Sequence, residues 1–64
     1  MNIKLKLKIL ENYPSQVAFA RDIGINDTEL SKLIRGWRDP KPELREIMAE
    51  KLMCKPDEIF PPKN

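Results

Sequence analysis

Histidine is absent from the 64 residues, cysteine occurs once, at position 54, and glycine occurs only twice. Each scarcity excludes something. A chain this short builds only a small core, and without histidine or a second thiol neither a zinc site nor a disulfide can staple it. The same absences remove the usual acid–base and nucleophilic constellations, and two isolated glycines make no glycine-rich phosphate loop. No cofactor or metal site is expected, and catalysis is not. No apolar run approaches the roughly 18 residues of a membrane helix, and the N-terminus lacks the charged-then-apolar order of a signal peptide. The expectation is a soluble intracellular protein, and its lone thiol suits a reducing cytosol.

Charge is present in both signs and unevenly spread. Residues 1–41 carry eight Lys/Arg against five Asp/Glu (+3), and residues 42–64 carry four against five (−1), which together give the net +2. Lys32, Arg35, Arg38 and Lys41 recur every three residues with only Asp39 opposing them. That density suits phosphates. It equally suits a solvated helix end whose cations complement the helix dipole.

Packed helices are the economical architecture for so short a chain, so an all-α, compact four- to five-helix bundle is expected over residues 1–60, with 61–64 a loose C-terminal tail. "IKLKLKIL" alternates like a strand, but a lone strand has no partner in this sequence. It is therefore assigned to a helix over residues 3–12, with Ile3, Leu7 and Leu10 sharing the inward face, flanked by Ile9 and Tyr13. Pro14 ends it. Ser15 caps a second helix that buries Phe19, Ala20 and Ile23. Gly24 then turns the chain in the left-handed conformation that glycine adopts without penalty. Asn26 caps a third helix, and Glu29, three residues on, is expected to return a bond to the cap's own N–H as a capping box. Leu30, Leu33 and Ile34 form its buried stripe. Gly36 closes it and "WRDPKP" is a loop. Pro42 opens a fourth helix with Leu44, Ile47, Met48 and Leu52 inward, and "PDEIF" adds a last turn that drops Ile59 and Phe60 onto the core.

Gln16 to Gly36, with Phe19 and Ala20, the Ile23-Gly24-Ile25 turn, then Leu30, Leu33, Ile34 and Gly36, resembles the helix-turn-helix of the phage repressor and Cro group, also called the Xre family. "GWRDPKPELREIMAEKLMCKPDEIF" is similar to the family's usual end. The resemblance implies a repressor-like bundle in which the third helix enters the DNA major groove while the second crosses the backbone. It implies a small phage or bacterial regulator of transcription, with double-stranded DNA as partner and a homodimer on two half-sites. For a dimer seam the candidates are Met53, Ile59 and Phe60, each of which also suits the core. Val17 stands where the family is usually polar, and Met53 and Cys54 stand where it often has glycine and then an apolar residue.

The family's contact positions map onto this chain as follows. Gln16 matches a position that binds a phosphate and steadies a neighbouring recognition side chain. Asp27 and Thr28 match the first base-reading positions and Lys32 a third, with Lys32 suited to guanine O6 or N7 and Thr28 to a thymine methyl. Ser31 and Arg35 sit where phosphate and base contacts both occur. Arg38 and, less directly, Lys41 are phosphate candidates. Trp37 has two readings: a ring packed over the core rim, or an indole N–H on phosphate. Asp27 also has two: an acid that filters unwanted sequences, or an alternative cap to Asn26. Against the DNA reading stands a protein-interaction module on the same fold, such as an antitoxin or adaptor, favoured by Val17 and Asp27.

Overall fold

The computed structural model describes residues 1–61, which form five α-helices with no strand among them: α1 (Ile3–Asn12), α2 (Gln16–Ile23), α3 (Asp27–Arg35), α4 (Pro42–Lys51) and α5 (Pro56–Ile59). The expected C-terminal tail begins at Pro61, and its residues 62–64 lie outside the described residues. None of these helices is long and apolar enough to cross a membrane.

One core joins all five helices. Leu5 and Ile9 enter it from α1, Phe19 and Ala20 from α2, Leu30, Leu33 and Ile34 from α3, Met48 and Ala49 from α4, and Leu52 and Ile59 from beyond it. Tyr13 packs its ring edge-on to Phe19, centroids 4.9 Å apart, and its hydroxyl donates to Asp22 Oδ2 at 2.5 Å. That hydrogen bond raises the Tyr13 phenol above its ordinary value, with burial and the Asp22 charge adding to it. Lys51 reaches the same carboxylate at 3.7 Å, tying α4 to α2.

The first helix has the expected bounds and the opposite face. "IKLKLKIL" contains two apolar stripes at helical spacing, Ile3-Leu7-Leu10 and Leu5-Ile9, and the bundle buries the second. Ile3, Leu7 and Leu10 are instead 61%, 54% and 53% exposed. The rotation is set at Asn2. Its Oδ1 caps α1 by accepting from the Leu5 N–H, its backbone N–H donates to the Ile34 carbonyl at 2.6 Å, and its Nδ2 donates to the Ile59 carbonyl. One residue thus stitches the start of α1 to the ends of α3 and α5, and aims Leu5 and Ile9 inward. In α4 the expected stripe is corrected at one place: Met48, Ala49 and Leu52 are buried, Leu44 is half-buried, and Ile47 lies outside on the edge of the stripe.

Three helices end in the same way. The N–H one residue beyond the left-handed position reaches back five residues: Ile25 to Ala20, Trp37 to Lys32, and Cys54 to Ala49, each at 3.0 Å. These bonds satisfy carbonyls that a helix end leaves without partners. The left-handed residues are Gly24 (φ 79°), Gly36 (φ 81°) and Met53 (φ 55°). So α4 closes on the usual backbone motif even though methionine holds the glycine position.

Candidate nucleic-acid interface

The pair α2–α3 is set by its joint and by Ala20. Gly24 turns the chain within three residues, and Asn26 caps α3 through a bond from the Glu29 N–H to its Oδ1 at 2.7 Å. Ala20 is buried in the core that α2 and α3 share, and its carbonyl accepts from the Ile25 N–H to close the turn. A larger side chain there would overpack the joint at a cost of about 1–3 kcal/mol.

With Leu30, Leu33 and Ile34 pinned inward, the remaining positions of α3 are forced outward. Thr28, Ser31, Lys32 and Arg35 follow one another at helical spacing along that outer face, Thr28 and Arg35 exposed, Ser31 and Lys32 partly covered. The row offers two hydroxyls, an ammonium and a planar guanidinium, all able to donate to phosphate oxygens or base-edge acceptors. Asp27 is the first residue of the helix, exposed, with Asn26 as the cap. The alternative of Asp27 as cap is thereby excluded, and its carboxylate sits where a helix N-terminus favours negative charge.

Trp37 lies outside the core: it is 68% exposed, with the Arg35 guanidinium 5.1 Å from its ring centroid. The reading that packs this ring over the core rim is therefore wrong. Gly36 turns the chain out of the helix, so Trp37 does not continue the buried stripe but extends the outer face of α3 by a cation–π contact. Arg38 folds back along α3, its Nη1 3.2 and 3.3 Å from the two carboxylate oxygens of Glu29. This also corrects the expected capping box, since the Glu29 carboxylate turns to Arg38 and not to the Asn26 N–H. That reciprocal bond occurs in α5, where Glu58 accepts from the Lys55 N–H at 3.0 Å.

Two further candidates stand at helix starts. Gln16 is the first residue of α2 and partly buried, and Lys41 is exposed at the start of α4. Between Arg38 and Lys41 the loop is anchored by buried Pro40, whose carbonyl accepts from Arg45 Nε at 3.2 Å. Two residues escaped sequence reasoning: Glu29 as the partner of Arg38, and Asn2 as the stitch. Nothing in the spacing signals either, because both bonds depend on where α3 and α5 lie in space.

No cluster of His, Cys, Asp or Glu among the described residues could hold a metal ion. Cys54 is partly buried against the core, and burial, aided by Glu58, pushes its thiol above the ordinary value. Of the candidates for a dimer seam, Ile59 is fully buried and Phe60 packs on the core, leaving only Met53 on the surface. No family model, curated protein or solved structure matches the chain.

Proposed function

We propose that this chain is a sequence-specific DNA-binding regulator of transcription, a small repressor of phage or bacterial type, without catalytic activity. The observation that carries the reading is the outward row Thr28-Ser31-Lys32-Arg35 on a helix braced from behind by α2 across a left-handed glycine. In this reading α3 lies in the major groove, where Lys32 donates to guanine and Thr28 meets a thymine methyl or a base edge. Ser31 and Arg35 meet phosphates or base edges, and Gln16, Arg38 and Lys41 hold phosphates, with Trp37 against the backbone beside them. Asp27 accepts from cytosine N4 or repels unwanted sequences. The protein acts in the cytoplasm, on the nucleoid, and occupies its operator as a dimer.

Selection from a random duplex library, with affinity of the winners followed against salt, tests this. An enriched sequence motif with a steep salt slope supports a sequence reader. Weak, unselective binding refutes it and favours the second reading, a protein-interaction module, for which exposed Val17 at the start of α2 is the specific sign.

A further inference from the structure

We propose that the outer face of α1 is the seam of a two-fold dimer of this chain, with α1 packed antiparallel against α1 of a second copy. Ile3, Leu7 and Leu10 form a continuous apolar stripe, each more than half exposed, on the side of α1 opposite the buried Leu5 and Ile9. Single exposed apolar residues are ordinary, but three in register on one helix mark a contact surface.

The charges around the stripe identify the occupant. Along one flank a shallow groove is lined by Lys4, Leu7, Lys8, Glu11 and Glu58, two cations and two anions around an apolar centre. Such a lining is self-complementary, as a two-fold interface requires, because it offers both signs of charge to a second copy of itself. The register follows from helix geometry. With the axis through Leu7, residue i lies level with residue 14−i, so Leu7 meets its counterpart and Ile3, level with Glu11, comes within one residue of Leu10 of the second copy. Lys4 then lies one residue from alignment with Glu11 of the second copy, an axial offset of about 1.5 Å, and the pair forms twice. Glu11 is open to this exchange, since its contact with Lys8 is a 3.9 Å exposed pair. Lys6 on the other flank and Lys8 on this one each come within two residues of alignment with their own counterparts across the axis, the unfavourable contacts in the arrangement.

The seam is one short helix wide, so the dimer belongs to the weak, concentration-dependent class. Its occurrence is independent of the DNA reading, because association is measured with no nucleic acid present. Sedimentation of the full chain from micromolar to millimolar concentration tests it. The expected result is a reversible monomer–dimer equilibrium that Leu7→Lys abolishes while the helical circular dichroism stays unchanged, since Leu7 is outside the core. Lys4→Glu and Glu11→Lys each weaken the dimer several-fold and together restore it. Lys6→Ala tightens it by relieving the like-charge contact, whereas an acidic partner or an anionic surface bound at this stripe would lose affinity with that change. A monomer throughout, a dimer indifferent to Leu7→Lys, or a dimer weakened by Lys6→Ala overturns the proposal.

Discussion

Replacing Met53 by glycine should make this protein more stable. Met53 holds φ 55° and is 80% exposed, so it bears the strain of a left-handed residue with little packing in return. That conformation costs an L-residue about 1–2 kcal/mol, and glycine relieves it. Against the gain stands the greater freedom of glycine in the unfolded chain, about 0.4–1 kcal/mol. The bonds from the Met53 N–H to Glu50 and the Cys54 N–H to Ala49 are backbone bonds and survive the change. The net effect is a stabilisation of about 0.5–1 kcal/mol, a sizeable share of the roughly 3–10 kcal/mol that a domain of this length holds. Thermal unfolding followed by circular dichroism should show a midpoint about 2–8 °C higher, and urea unfolding a later midpoint with the same slope. An unchanged or lower midpoint refutes the reasoning, because the exposed side chain would then be holding contacts worth as much as the strain.

Four further outcomes are expected. Lys32→Ala should cost about 1–3 kcal/mol on the preferred site and relax discrimination at one base position, which a selection repeated with the variant reads directly. Equal loss on every sequence would remove Lys32 from base reading. Arg38→Ala should weaken binding to all duplexes alike and lower the salt slope by about one, whereas Glu29→Gln, by releasing Arg38 from its carboxylate partner, should strengthen non-specific binding and leave the preferred sequence unchanged. Tyr13 keeps its proton more tightly folded than unfolded, so the stability it contributes is complete below its ordinary value near 10 and drains away as pH rises through the raised folded value. Tyr13→Phe should flatten stability against pH in that alkaline range, as urea midpoints measured on either side of pH 10 would show.

The helices themselves were legible because their ends carry local chemistry. Pro14, Ser15, Gly24, Asn26, Gly36 and Pro42 act on the backbone within a turn of themselves, and the observed boundaries fall where those residues stand. The inward stripe of α3 was legible too, since its apolar residues make only one face. In α1 they make two, and local spacing cannot choose between them; the choice was made by Asn2, through partners 32 and 57 residues away. Of the two readings of Trp37, the core-rim one fails because Gly36 turns the chain left-handed and helical spacing stops one residue before the ring. Glu29 was misread because two acceptable partners were within its reach, and only the path of the loop after Gly36 decides that Arg38 takes it.

The threefold bond of Asn2 bears on the order in which the molecule can be made. A ribosome delivers α1 first and α5 last, and Asn2 binds a carbonyl at the far end of the chain, 57 residues downstream. The first helix emerges with its own cap available but without the two acceptors that orient it. Until Ile34 and then Ile59 have left the tunnel, α1 lacks those two bonds, and only its packing against α2 and α3 favours Leu5 and Ile9 as its inner face. The fixing of the first helix is therefore completed only when α5 is in place.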